Sequence, residues 1–271
     1  MPARASAPNH HGTHFLRSPA VAADLVRSSG VGRDDLVLDL GAGAGAITAP
    51  LAATGARVLA VERNARFVDR LSERFADTGN VRVIHADVRT VPLPRRPYRV
   101  VANIPFALST ALLRRLLQSP TTRMAGADLV VEWGFARRMT RPSPRDLETA
   151  WWASRFHLTL RQRVSRTCFT PPPTVDAAHL SIRPRPGVGP RVSASLWWLL
   201  GAAYSSPHRT VQALVADVSG LRRVRGALGA AGVGAGTPAA QVTVDQWAAI
   251  ARNLAEAPVS WPALPRSLSR V

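Results

Sequence analysis

The sequence predicts an α/β fold: a mostly parallel sheet covered by helices on both faces, followed by a small all-helical domain. Three observations carry that prediction. Short apolar runs alternate with helical stripes through at least three units, the pattern of parallel strands joined by crossover helices. These runs are almost continuously apolar, as in strands buried on both faces. A Pro- and Gly-rich stretch at 183–190 then has linker composition and separates the alternating region from short helices.

The elements follow in order. Residues 1–13 are small and polar and should be loose, with adjacent His10 and His11 solvated. Ser18 before Pro19 starts a helix, Val21, Leu25 and Val26 form its stripe, and Gly30 stops it. Residues 36–40 form the first strand, which runs directly into Gly41-Ala42-Gly43-Ala44-Gly45. A helix over 46–53 leads to the second strand, 57–61, closed by Glu62. Phe67, Val68, Leu71 and Phe75 mark one face of a helix over 64–76. The third strand, 81–86, is closed by Asp87; the fourth, 98–102, leaves the sheet through Asn103-Ile104-Pro105-Phe106. Ser109 caps the next helix, and 128–133 is a fifth strand. Residues 134–148, with Arg137, Arg138, Arg141, Arg145 and two prolines, read as an exposed, partly irregular basic segment. Trp151 and Trp152 lead into a sixth strand over 156–164. Phe169 precedes the rigid Thr170-Pro171-Pro172-Pro173, and 175–182 is the seventh strand. Helices follow over 194–204, 210–218, 221–228 and 244–254, with Trp197, Trp198 and Trp247 as their core. The expected domains are 1–184 and 191–256, with a tail at 257–271.

Charge narrows the function class. The 271 residues carry a net charge of +18, and all 35 basic residues are arginine. A GC-rich genome accounts for the missing lysine but not for so few acids. Arginine pairs bidentately with phosphate and stacks on bases, so a polyanionic partner, a nucleic acid, is expected. The single Cys168 excludes a disulfide framework or a cysteine zinc site within the chain, and the seven histidines lack ligand spacing, so no metal is expected. There is no secretory signal and no apolar stretch near the ~18 residues of a membrane helix. These features predict a soluble, cytoplasmic protein.

Four strand ends carry the candidate chemistry. Glycines at alternate positions after a strand let a ligand approach the backbone. The spacing departs from the dinucleotide fingerprint, and no lysine is present for a phosphate loop. Glu62 suits ribose hydroxyls, and Asp87 suits an exocyclic amine unless it caps the next helix. In the Asn-Ile-Pro-Phe turn, proline removes a donor and holds Ile104 extended. The Asn103 side-chain carbonyl and the Ile104 backbone carbonyl can then accept from the two N–H bonds of an adenine amine. That localises its lone pair for attack on an electrophilic methyl, while Phe106 stacks on the base.

The order of these motifs resembles the rRNA adenine-N6 methyltransferases. They run from His14-Phe15-Leu16 through Asp39-Leu40-Gly41-Ala42-Gly43, Glu62 and Asp87 to Asn103-Ile104-Pro105-Phe106 and Phe169-Thr170-Pro171-Pro172-Pro173-Thr174-Val175-Asp176. Within that group they are most similar to the Erm enzymes of 23S rRNA, which confer macrolide, lincosamide and streptogramin B resistance. The resemblance covers roughly residues 9 to 185. It implies a Rossmann-like class I methyltransferase sheet of seven strands, the last antiparallel, with S-adenosylmethionine as donor and S-adenosylhomocysteine as product. It further implies a monomer that acts on 23S rRNA before ribosome assembly is complete. Carried over, His14 and Leu16 close over the cofactor, with Gly41 and Gly43 at its methionine part. Glu62 meets the ribose and Asp87 the cofactor adenine, with Arg63 and Val88 also among the cofactor-binding residues. Asn103 bridges donor and target, Phe106 stacks on the target, and Phe169 flanks it from the other side. Arg137, Arg138, Arg161 and Arg163, with Arg141 and Arg166, are candidates for RNA phosphate. The family usually has Gln-Asn where this chain has Thr13-His14, and often Tyr where it has Phe106. The alternatives are a 16S rRNA adenine dimethyltransferase, a non-catalytic nucleic-acid-binding relative and a NAD-dependent oxidoreductase. The last needs a hydride-transfer site that the sequence does not show.

Overall fold

The computed structural model describes residues 14–256, 261–265 and 268. The expectations for residues 1–13, with His10 and His11, and for most of the 257–271 tail lie outside the described residues. The chain opens with β1 (Phe15–Leu16), α1 (Pro19–Ser29) and β2 (Leu36–Leu40). Next come α2 (Thr48–Ala53), β3 (Arg57–Glu62), α3 (Ala65–Arg74), β4 (Val81–His85) and β5 (Tyr98–Asn103). They are followed by α4 (Ser109–Leu117), β6 (Met124–Glu132), α5 (Trp133–Met139) and α6 (Leu147–Arg155). Then come β7 (Phe156–Val164), β8 (Phe169–Thr170) and β9 (Ala177–Pro184). The chain continues through α7 (Pro190–Ser205), α8 (Val211–Ser219), α9 (Leu221–Ala231) and α10 (Val244–Glu256). No described helix is long and apolar enough to cross a membrane.

Seven strands form one sheet in the order β4-β3-β2-β5-β6-β9-β7. The pairings of β2 with β3, β2 with β5, β3 with β4 and β5 with β6 are parallel. The chain winds from β2 outward to β4, then crosses back to β5 on the other flank. The crevice between the ends of β2 and β5 is therefore the topological switch point, where open α/β sheets bind ligands. Every residue of β2 is buried, Asp39 included, which explains a run that is apolar but for that one acid. The predicted start of α1 is met: Ser18 Oγ accepts from the Val21 N–H, Pro19 opens the helix, and Gly30 closes it at φ +63°.

Three expectations change. The segment over 134–148 is irregular only between its two helices, at 140–146. It contains α5, which buries Phe135, Ala136 and Met139, and the start of α6, where Asp146 accepts from the Thr149 N–H at 2.8 Å. The arginines masked that apolar stripe. Trp151 and Trp152 lie inside α6 and are fully buried, so they belong to a helical core rather than a lead-in. The last strand begins at Ala177, leaving Val175 exposed. The structure also adds a ladder too short to show a period: β1 pairs antiparallel with β8, Leu16 opposite Phe169.

The chain divides into two compact units. The first takes the chain up to Leu112 with Arg123–Ala136 and Leu160–Ser181; the second takes Leu113–Thr122, Arg137–Thr159 and the chain from Ile182. In the second unit the Trp151 and Trp152 indoles donate to the Gln118 backbone and side-chain oxygens, each at 3.0 Å. The buried Arg155 guanidinium donates to the Leu117 and Ser119 carbonyls at 2.7 Å and lies 4.5 Å from the Trp151 ring. Its desolvation lowers the Arg155 pKa to about 10. These bonds tie 113–122 to α6, so the unit recruits residues from before the Pro-rich linker. Its apolar core is Leu199, Leu200, Trp247, Ile250 and Leu254, whereas Trp197 and Trp198 are half-buried.

In the first unit one polar pair is fully enclosed. His179 Nε2 and Asp128 Oδ1 lie 2.7 Å apart across β9 and β6, and the Ser28 hydroxyl donates to the same oxygen at 3.0 Å. Removing His179 takes away the closest partner of a carboxylate that is 1% exposed. His179→Leu should therefore cost about 3 kcal/mol or more, read by chemical denaturation. A change under about 0.5 kcal/mol, the scale of neutral surface substitutions, would show that the pair does not hold these strands.

Candidate functional site

The ends of β2, β3 and β4 lie in register: Leu40 opposite Val61 and Glu62 opposite His85. The loop after β2 folds onto β3, because the N–H groups of Gly41 and Ala42 both donate to the Val61 carbonyl, at 2.8 and 3.0 Å. Gly41 sits at φ +82° and Gly43 at φ +54°, conformations that favour glycine. A Cβ on Gly41 would stand 3.9 Å from the Pro105 ring, and one on Gly43 would stand 3.2 Å from the Phe15 ring. Glu62 is 8% exposed, and three N–H groups fix its carboxylate. Gly43 donates to Oε2 at 2.9 Å, and Arg63 and Asn64 donate to Oε1 at 2.9 and 2.8 Å. The acidic strand end thus pins the glycine loop as well as facing the crevice.

A cavity of about 470 Å³ opens at this edge, within the roughly 300–1,000 Å³ of small-molecule sites. It is lined by His14, Gly41, Glu62, Arg63, Asp87, Val88 and Asn103, all anticipated from sequence, and also by Phe15, Asn64, Phe67 and Arg89. Asp87 is not free. Its Oδ1 accepts from the Arg89 backbone N–H at 2.8 Å, and the Arg89 guanidinium contacts both oxygens, closest at 2.7 Å. Those hydrogen bonds lower the Asp87 pKa to about 2. The Arg89 side chain is 56% exposed, so it can yield to an incoming amine at little cost. Leu16 lines a small adjoining cleft with Asp39, Gly43 and Asn103.

The turn after β5 is locked from outside the sheet. The Asn103 Nδ2 group donates to the His14 backbone carbonyl at 2.8 Å. A carbonyl only accepts, so this bond fixes the amide orientation and leaves Oδ1 available toward the cavity. His14 is held in turn: its Nδ1 lies 2.8 Å from the Pro171 carbonyl, which requires the hydrogen on Nδ1. Ile104 is buried, and its N–H donates to Val130 at 3.3 Å. Among the described residues no hydrogen bond engages its carbonyl. The Phe106 ring is half-buried, 5.6 Å from the His14 ring.

Other expected residues fall elsewhere. Phe169 is 2% exposed, in the core cluster with Leu16 and Val164 against which Phe106 packs, and its backbone pairs with β1. The following segment contributes Pro171 instead. Arg163 is exposed, pairs with Asp176 and lies 5.5 Å from the Trp133 ring. Arg161 and Arg166 are also exposed, as are Arg137 and Arg138 on α5, and Arg141 is half-buried. Sequence reasoning missed Asp39 and Arg89. Asp39 was visible as an acid inside an otherwise apolar strand that ends at the glycine loop.

The chain was compared with known proteins. The family described as ribosomal RNA adenine dimethylase matches residues 5–256. An rRNA adenine N-6-methyltransferase of Bacillus licheniformis is 34% identical over 179 residues, 66% of this chain and 62% of that protein. The chain thus spans less than two thirds of that relative's length. An rRNA methyltransferase of Streptomyces thermotolerans is 30% identical over 248 residues, covering 90% of this chain and 82% of that protein. The crystal structure of the 23S rRNA methyltransferase ErmE matches at TM-score 0.74 and 28% identity, over 89% of this chain and 99% of that one.

Asp39 carries the electrostatic cost of the site. Burial pushes its carboxyl up to about 7, the Thr48 hydroxyl donating at 2.7 Å opposes the rise, and the charge of Glu62 adds to it. In the unfolded chain the same group titrates near 3.8. Between these values the native state holds a proton that the unfolded state releases, so stability falls as pH rises through that window. Asp39→Asn should remove this loss. At pH 8 it should gain about 1 kcal/mol or more, some 2–4 °C in thermal melting of the free protein. A variant less stable than wild type at pH 8 would contradict the assignment.

Proposed function

The chain belongs to the ribosomal RNA adenine dimethylase family, and we propose that it transfers a methyl group from S-adenosylmethionine to N6 of one adenine in 23S rRNA. The observation that carries this reading is the orientation of Asn103, whose oxygen is left as an acceptor beside a second free carbonyl at Ile104.

The residues present fit the cofactor. Gly41 lines the cavity and Gly43 the adjoining cleft with bare backbone, Glu62 accepts from ribose hydroxyls, and Asp87, released from Arg89, accepts from the adenine amine. When bound, S-adenosylmethionine supplies an electrophilic methyl group on a sulfonium sulfur. Asn103 Oδ1 and the Ile104 carbonyl take the two N–H bonds of the target amine and turn its lone pair toward that methyl. Both dipoles also face the nitrogen on which positive charge develops. The product amine is cationic and acidic, so its proton leaves without a strong base. Phe106 stacks on the extruded base, with the His14 ring beside it.

Similarity to the 23S enzyme ErmE supports the large subunit as the target, with macrolide resistance as the consequence in the cell. A small-subunit rRNA methyltransferase of Arabidopsis thaliana is 33% identical over 195 residues, which keeps 16S rRNA as the second reading. The exposed arginines and the 191–256 helices supply the RNA contacts. Mass spectrometry of rRNA from cells expressing the protein should find N6-methylated adenine in 23S rRNA. Modification in 16S rRNA alone would move the target, and unmodified rRNA would end the reading. Asn103→Ala should lose at least about a hundredfold in transfer rate, the scale of one transition-state donor or acceptor, with cofactor affinity retained within about tenfold. Activity within a few-fold of wild type would contradict the role given to its oxygen.

A further inference from the structure

Three arginines converge on the sheet edge opposite the candidate site. Arg33 precedes β2, Arg57 opens β3 and Arg82 lies near the start of β4. All three are exposed and, with Gly55, Gly79 and Asn80, line a cavity of about 410 Å³. Among the described residues no ion pair and no side-chain hydrogen bond engages any of the three guanidinium groups. No carboxylate lines the cavity. Asp34 and Asp77 are exposed nearby in sequence, and Asp35 is turned to Arg99 at 3.3 Å and to the Gly32 N–H at 2.9 Å. The floor is fixed, because the Asn80 amide donates to the carbonyls of Ala52 and Ala56 at 2.9 and 2.8 Å. The Arg33 stem runs beside Gly55, 3.7 Å from where a Cβ on that glycine would stand, and the space over Gly79 is open.

We propose that Arg33, Arg57 and Arg82 form a phosphate-binding cradle for the RNA backbone, distinct from the residues that receive the target adenine. Three unpaired guanidinium forks around an open concavity without acids are complementary to a run of phosphodiesters. The six residues of β3 separate the two edges by about 20 Å, at roughly 3.3 Å per residue. An RNA held at both must therefore extend well beyond the target nucleotide. The cradle thus selects long or folded rRNA over short oligonucleotides. This inference rests on the reading of an RNA substrate.

The test uses the full-length triple variant Arg33→Gln/Arg57→Gln/Arg82→Gln and two RNAs: a short hairpin that the wild type methylates and a long rRNA fragment containing that hairpin. On the long fragment the variant should lose roughly tenfold or more in affinity at 0.1 M salt. Its slope of log K against log salt should shrink by roughly 2 to 3, as three neutralised phosphates require. Hairpin binding, hairpin methylation and the melting shift given by S-adenosylmethionine should stay at wild-type values. An unchanged slope on the long fragment would overturn the cradle, and so would an equal loss on both RNAs, which would place these arginines at the target. A wild type that methylates neither RNA would instead overturn the proposed function, while the slope comparison would still test the cradle.

Discussion

One hydrogen bond gives the site its polarity. Asn103 donates to the His14 carbonyl, and because that carbonyl cannot donate, the amide has only one satisfactory orientation. Everything around it holds that geometry. β1 places His14 by pairing with β8, and the His14 ring is tied to Pro171 on the same segment. Gly41 is held at φ +82°, a conformation that favours glycine, with the Pro105 ring within 3.9 Å of where its Cβ would stand, so the glycine loop and the turn after β5 lie side by side. The oxygen left free is the one that an amine, rather than a carboxylate or a carbonyl, can use.

The site is assembled at some cost in stability. Asp39 is an acid buried in a strand, with the Thr48 hydroxyl and backbone N–H against its desolvation and Glu62 making it worse. Both are retained at the loop that would face a cationic cofactor, whose charge favours the ionised carboxyl. Glu62 is better compensated, since three N–H groups already surround it. Asp87 is held in reserve by Arg89, an exposed partner that solvent and ligand can replace. The same edge therefore has a rigid part, fixed by backbone donors, and an exchangeable part at the adenine end.

What the sequence made legible follows from where polarity is surprising. Glu62, Asp87 and Asn103 each interrupt an apolar strand at its end, and the structure brings them to one cavity. The central strands β2, β3 and β5 were equally plain, because burial on both faces leaves little room for polar residues. Elements that depend on partners distant in sequence were not. β1 and β8 are two residues each and exist only as a pair. α5 and α6 were hidden by arginines on their exposed faces, while Trp151 and Trp152 are buried by tertiary contacts with Gln118. Phe169 shares a motif with the prolines that reach the cavity, but the ladder with β1 turns its ring into the core. Arg33, Arg57 and Arg82 look unrelated in sequence, and only parallel register brings them to one edge.

The central claim is that Asn103 keeps its amide on His14 and presents its oxygen to the target. Side-chain amide resonances of Asn103 in asparagine-labelled protein, assigned by their loss in Asn103→Asp, report on it directly. The account predicts an amide proton protected from solvent exchange that stays protected when cofactor and an adenine-containing RNA bind. An amide that exchanges freely, or that loses its protection when the RNA binds, would contradict it.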